Sequence, residues 1–567
     1  MAARVRRPRP AASYLLSAGL FAILSMLIVV PVAMVIYTAF RDVTPFSGNG
    51  AGHFTTANFA SIFSGQVAST TIATLILAFF GTLIATVFGC GLAWLAARTD
   101  IPGKPLVHLA GVIPLFISLL VAAVTWSLLG AGRSGYLNII LDSLGLPFHI
   151  EMRSYAGIAF VEGIYNAPYP FLLLYGAIML IHPELEEAAM VHGGTRSRTM
   201  SWITLPIVRP AMIGSALLVF VQIVEDFPVP QILGGPVGIQ TLSVRLYNMM
   251  TRVPNFPNQA AALSIVLTTI VCLLVYGQQL ALAGRDYRTV TGKGSQRRML
   301  KLNRWRKPAV AFVAIYAFVA VGLPMLALIE GSLRANLFIA DASALFDVSQ
   351  FSLSHLAEAA TSPEVMRGLL NSVIAGLVVA VLGSALFFVL AYVVARSKLP
   401  GRHYLEFIVM APLALPAIVL AMGVLWTWVG VPFPIYGTLA ILIFAFAARF
   451  APQGYRAISS TIVQIHDDLE NAALVAGATR PQAVTLIVLP LIRSGVFACA
   501  FLLFVLTLRE VASSLFLYTT QSRVLAIVIL ETYNNGLWAT VASMSLIYTI
   551  LLIALTLLGR RIMQPAF

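Results

Sequence analysis

The chain has 567 residues, of which 59% are hydrophobic and only 10% charged. Soluble domains carry about 25% charged residues, so composition excludes a soluble enzyme, a secreted disulfide scaffold and a disordered chain. It leaves an integral membrane protein. The net charge of +14, from 36 Lys/Arg against 22 Asp/Glu, is what a positive-inside bias produces, and it requires no nucleic acid.

The first ten residues carry Arg4, Arg6, Arg7 and Arg9. The apolar run that follows, 14–40, is too long for a signal-peptide core and has no small-residue cleavage site, so it reads as a retained first span. Crossing a ~30 Å hydrocarbon core takes about 20 apolar residues. On that length the further spans are 67–97, 105–131, 156–181, 207–233 and 259–283. A second set lies at 308–332, 368–395, 403–429, 437–463, 491–517 and 539–558. The expected fold is all-α and polytopic, with about twelve transmembrane helices in two six-helix halves, 1–283 and 308–567. A basic linker, 284–307, joins them and holds nine Lys/Arg. Pro168 and Pro452 fall inside the fourth and tenth spans, where neighbouring helices can satisfy the carbonyls that proline frees.

With twelve spans, one side of the membrane collects 26 Lys/Arg and the other 8. That asymmetry puts both termini and the linker in the cytoplasm. Cys90, Cys272 and Cys499 lie far apart in apolar runs and read as small buried hydrophobes. No pair among the eight histidines has metal-ligand spacing.

A repeat runs through the two halves. Residues 181–209 read IHPELEEAAMVHGGTRSRTMSWITLPIVR and residues 465–493 read IHDDLENAALVAGATRPQAVTLIVLPLIR. At an offset of 284, 14 of 29 positions are identical. A weaker echo pairs the segment beginning Arg98 with the one beginning Arg396. Each copy lies between the fourth and fifth spans of its half. Six spans is an even number, so both copies face the cytoplasm and the halves are parallel repeats. Each copy reads as a short helix with acidic residues in its first turn, a glycine stop at Gly193 or Gly477, and a second helix that enters the membrane at Leu-Pro. Thr479 with Gln482 fits a capping box. Thr195 lacks that partner because Arg198 stands in its place. Loops ordinarily diverge faster than cores, so a loop pair this similar points to a shared function rather than to duplication alone.

The loop resembles the E-A-A-x-x-x-G-x(9)-I-x-L-P signature of ABC importer permeases, the membrane subunits of type I ATP-driven importers. Glu187, Ala188, Ala189, Gly193, Ile203, Leu205 and Pro206 match it fully. The second copy carries Asn471 at the glutamate position, with Glu470 one place earlier. The resemblance implies that Glu186, Glu187, Ala188, Ala189, Gly193, Thr195, Arg196 and Pro206 form one ATPase-docking loop. Glu470, Ala472, Ala473, Gly477, Thr479, Arg480 and Pro490 form the other. It implies two copies of an ABC ATPase, a periplasmic or extracellular solute-binding protein, and a bacterial cytoplasmic membrane.

The fused two-half layout resembles the ferric-iron branch. The stretch Leu233–Tyr247 has the same look, and thiamine, polyamine and aminophosphonate importers stand nearby. No cofactor is expected on this chain. The two Gly-Lys pairs, at Lys104 and Lys293, do not fit a P-loop, so ATP and Mg belong to the partner ATPase. A secondary transporter would not need the docking loops, and a membrane enzyme would need a nucleophile–base or metal cluster that the sequence lacks.

Charges inside spans are costly and mark function. They are Glu162, Glu225, Asp226, Arg449, Arg509 and Glu510. The repeat sets Glu225 opposite Arg509 and Asp226 opposite Glu510. Two roles are open to them: an acidic lining that passes a hard cation such as Fe3+, or gating ion pairs with the arginines that lock the halves.

Overall fold

The structure, a computed structural model, describes residues 10–45, 52–62, 65–181, 188–189, 191–193, 195–282, 299–334, 339, 341–397 and 401–563. Among these, the chain is helical and no strand forms beyond isolated bridges. Seven helices are long and apolar enough to cross a membrane alone: Tyr14–Ala39, Gly65–Arg98, Met200–Glu225, Pro257–Leu280, Asn303–Leu333, Pro363–Arg396 and Trp538–Gly559. They correspond to the first, second, fifth, sixth, seventh, eighth and twelfth expected spans. The fifth lies about seven residues nearer the N-terminus than the 207–233 read from the sequence.

The third, ninth and eleventh spans are broken. Lys104–Phe116 and Leu119–Gly130 meet at 97°, Arg402–Ala414 and Ala417–Val429 at 116°, and Arg480–Leu491 and Arg493–Arg509 at 73°. The eleventh span therefore runs over 480–509 rather than 491–517. The fourth and tenth candidates are each two short helices. Tyr155–Asn166 is followed by Pro168–Met179, and Leu439–Arg449 by Ala451–Ile462. One residue separates each pair, and Pro168 or Pro452 then opens the second helix. The first helical turn has no intrahelical partner for its N–H groups, so proline is tolerated there.

Four spans share another device. A five-residue π-helical turn, at Ser25–Val29, Met200–Thr204, Phe318–Gly322 and Val484–Val488, precedes Pro31, Pro206, Pro324 and Pro490 respectively. Proline lacks an N–H and its ring clashes with the carbonyl four residues back. In each case that carbonyl lies inside the π turn, where the widened ladder makes room. The Leu-Pro that ends the repeated loop is one of these sites in each half.

Each half's first span packs on the other half. The Val30–Ala39 helix lies against Ala417–Val429, and Leu323–Leu333 lies against Leu119–Gly130 and the twelfth span. A Cβ on Gly423 would sit 2.4 Å from the Pro31 carbonyl oxygen, so only glycine permits this approach. Phe88 stacks on Phe312 with centroids 5.7 Å apart, joining the second span to the seventh. Of the linker, 284–298 lies outside the described residues. Its C-terminal end docks on the first half: Leu300 N–H donates to Arg98 O at 2.8 Å, and Leu302 N–H to Asp100 Oδ1 at 2.7 Å.

The three cysteines are free, but only Cys499 is buried: Cys90 is half-buried and Cys272 exposed. Cys272 lines an apolar groove between the first, sixth and ninth spans.

Candidate translocation gate and coupling loops

The fifth and eleventh helices end one residue before Asp226 and Glu510. These two acids therefore stand just past the helix ends rather than within spans. Each accepts an N–H from three residues on: Val229 N–H to Asp226 Oδ2 at 3.2 Å, and Ser513 N–H to Glu510 Oε1 at 2.9 Å. The matched geometry follows from the repeat, since both chains leave a helix and turn back at the same register.

The third and ninth spans break at equivalent places. Ile117 and Ser118 are extended, as are Leu415 and Pro416. A break inside a membrane frees carbonyls that lipid cannot satisfy, so it must line a polar cavity. Here arginines serve them. Arg449 donates through Nη1 to Leu415 O at 3.0 Å and to Pro412 O at 3.4 Å. Arg509 donates through Nη2 to Ile117 O at 3.4 Å. Arg449 also forms an ion pair with Glu225, Nη2 to Oε1 at 2.5 Å, with both side chains largely buried. Glu225 belongs to the first half and Arg449 to the second, so the pair joins the halves. Arg509 likewise reaches from the second half to the first.

Glu225, Asp226, Arg449, Arg509 and Glu510 line one cavity of about 170 Å³, together with Asn166, Gln222 and Gln453. Glu162, the sixth expected residue, does not line it. It is fully buried, its Oε2 accepting a hydrogen bond from Asn166 Nδ2 at 3.1 Å and its Oε1 making none within the chain. Several atoms around the cavity make no hydrogen bond within the chain: Glu225 Oε2, Arg449 Nε, Arg509 Nε and Gln453 Oε1. The site is polar and two-signed. Among the described residues, no three of His, Cys, Asp and Glu are grouped to hold a metal ion. Sequence reasoning missed Gln222, Asn166 and Gln453; their only signal was that uncharged amides in apolar helices are uncommon.

The coupling loops lie at the opposite ends of the fifth and eleventh spans. Glu186 and Glu187 of the first loop are outside the described residues. Ala188 and Ala189 are helical, and Gly193 follows with φ +81°. In the second loop the helix Asp467–Val475 carries Asp467, Asp468 and Glu470 in its first turn and stops before Gly477, whose φ is +95°. Both glycines occupy the left-handed conformation in which a Cβ is strained.

Ala472 is exposed and Ala473 half-buried on the same helix. Thr479 and Gln482 form their capping contact, Thr479 N–H to Gln482 Oε1 at 2.8 Å, ahead of Arg480. Thr195 instead accepts a 3.4 Å contact from Arg198 N–H, ahead of the helix that Arg196 begins. Glu470 is turned inward: it hydrogen-bonds the Tyr392 hydroxyl at the end of the eighth span. Arg396, one turn on, ion-pairs with Asp467 and donates to the carbonyls of Ile462 and Ile465. His466 is 90% exposed and gives its helix no side-chain cap; His182 lies outside the described residues.

The family of binding-protein-dependent transport system inner membrane components matches this chain twice, over residues 85–288 and 387–565. The ferric transport system permease protein FbpB of Actinobacillus pleuropneumoniae is 28% identical over 492 residues, 85% of this chain and 69% of that one. The Fe(3+)-transport system permease protein FbpB 2 of Haemophilus influenzae is 22% identical over 84% of this chain and 87% of its own length. Among solved structures, a chain of a bacterial ABC transporter that imports the acidic polysaccharide alginate is 18% identical, with a TM-score of 0.38, over 46% of this chain and 96% of that one. By the two family matches, which cover most of its length, this multi-pass membrane chain belongs to the family of binding-protein-dependent transport permeases.

Proposed function

We propose that the chain is both membrane halves of an ATP-driven importer of ferric iron, in a bacterial cytoplasmic membrane with both termini in the cytoplasm. A likeness to ferric permeases over 85% of the chain carries the iron reading. Residues 1–283 and 308–567 act as two pseudo-symmetric halves, and the two repeated loops each dock one ATPase subunit, where ATP and Mg are bound and used. A binding protein delivers the solute to the opposite face.

The gate geometry supports alternating access. The cavity is bounded by the breaks of the third and ninth spans and by the ends of the fifth and eleventh spans, and those last two spans lead directly from the coupling loops. Movement of the loops displaces Asp226, Glu510 and the arginines that hold the breaks. The Glu225–Arg449 pair then serves as the lock between halves, and the remaining carboxylates face the path. Ferric iron is the cargo, and Asp226 and Glu510 offer it carboxylate oxygens along the path.

The test is reconstitution in proteoliposomes with the partner ATPase and binding protein. ATP hydrolysis should rise, and iron should accumulate, only when the binding protein carries Fe3+. Equal hydrolysis with loaded and empty binding protein would overturn the importer reading. Stimulation by another solute alone would overturn iron.

A further inference from the structure

A second cavity, of about 470 Å³, opens on the membrane face opposite the coupling loops. The first half contributes Arg153, Arg252, Gln231, Gln240 and Asn248, and the second half closes it with the turn between Tyr533 and Trp538. The Tyr533 hydroxyl donates to Ile232 O at 2.8 Å and ties the two sides together.

Its charge differs in kind from that of the gate. Two guanidinium groups line it and no carboxylate does. Neither Arg153 nor Arg252 forms an ion pair among the described residues. The nearby Glu151 is used elsewhere, accepting N–H groups from Gly132 at 3.0 Å and Arg153 at 2.8 Å. Arg153 is held in place. Its Nη2 lies 3.3 Å from Ser127 Oγ, its guanidinium sits 5.7 Å from the Trp538 ring centre, and its buried Nε makes no hydrogen bond within the chain. Arg252 is exposed, at the rim of the cavity. A held planar donor, an exposed one and side-chain amides at the wall suit an anion with two or three oxygens. The same pair repels a bare cation.

We propose that this outer basin binds a small oxyanion, a carboxylate or phosphate group. The oxyanion either is free or arrives as a ligand on the transported metal ion. The site rests on its own geometry; only its place ahead of the gate rests on the importer reading.

The experiment is calorimetric titration of the complete importer in nanodiscs, without ATP, using inorganic phosphate, citrate and ferric citrate against chloride at matched ionic strength. Saturable binding is expected for the wild type, weakened at least tenfold in Arg252→Gln and abolished in Arg153→Gln/Arg252→Gln. Arg252 is exposed, so its variant retains the fold, and normal thermal stability of that variant checks this. Tighter binding of ferric citrate than of citrate assigns the oxyanion to the metal complex, and equal binding assigns it to the free anion. No saturable binding of any of the three, or unchanged affinity in Arg252→Gln, overturns the site. Iron uptake is measured in parallel. Its loss with oxyanion binding intact would count against the importer reading and leave the site standing.

Discussion

The broken third and ninth spans follow the same backbone path, yet their freed carbonyls are served unequally. In the second half Arg449 holds two carbonyls and a carboxylate at once. In the first half Arg509 holds one carbonyl at 3.4 Å. The two arginines are not repeats of one another. The 284-residue offset aligns Arg449 with Tyr165 and Arg509 with Glu225. The two breaks share their backbone path, while the side chains that serve them do not follow the repeat. The candidate gate thus repeats in shape while its two sides differ in strength.

The largest effect is expected from Arg449→Ala. It strips two carbonyls of their donor and leaves Glu225 buried beside an emptied place. Breaking a buried pair from one side costs about 3–5 kcal/mol. Thermal unfolding of the purified protein should shift strongly downward and iron uptake should be lost. A variant as stable as the wild type would remove the lock from the gate. Glu225→Gln keeps a hydrogen-bond acceptor for the guanidinium and removes only the charge. It should cost less, about 1–3 kcal/mol, and raise ATP hydrolysis in the absence of loaded binding protein. Basal hydrolysis equal to the wild type would mean the pair does not hold the resting state.

Arg509→Ala tests the weak side. One long hydrogen bond is lost, so the stability change should be about 1 kcal/mol, well below that of Arg449→Ala. Equal losses from the two variants would dissolve the asymmetry between the halves.

The family signature was legible because it is local: a helix stop, a cap and a Leu-Pro within 29 residues, repeated at a fixed offset. Seven spans were legible because length and apolar content are enough to mark an unbroken membrane helix. The breaks at Ile117 and Leu415 were not. Apolar residues continue through each bend, so a hydropathy count sees one span where the backbone makes two. Pro114, Pro412 and Pro416 were signals for a bend, but proline in membrane helices is too often tolerated to decide one. The end of the fifth span was misplaced because Val229, Ile232 and Leu233 are apolar too, and their burial comes from protein rather than lipid. Acid–arginine pairs locking the halves were one of the two roles open in the sequence, but which acid meets which arginine was not legible, because the Glu225–Arg449 pair spans 224 positions and ignores the repeat register. The outer basin was missed for a different reason. Arg153 and Arg252 were counted only as topology charges, and nothing in their spacing brings them together.

The coupling loops repeat the asymmetry on a smaller scale, and there it can be repaired. The second loop satisfies Thr479 N–H with the Gln482 side chain. The first has an exposed Arg198 at that position, and a guanidinium carries no acceptor. Arg198→Gln should therefore give Thr195 the reciprocal bond that its counterpart already has. A cap of this kind contributes about 0.5–1 kcal/mol, which corresponds to amide exchange about two- to fivefold slower at Thr195 if the loop opens locally. Hydrogen–deuterium exchange on the reconstituted protein would measure it. Slower exchange, with tighter retention of the ATPase on the first loop, would show that the two loops differ by this cap. Unchanged exchange would mean that this cap does not set the difference between the two loops, which part at further positions such as Glu187 and Asn471.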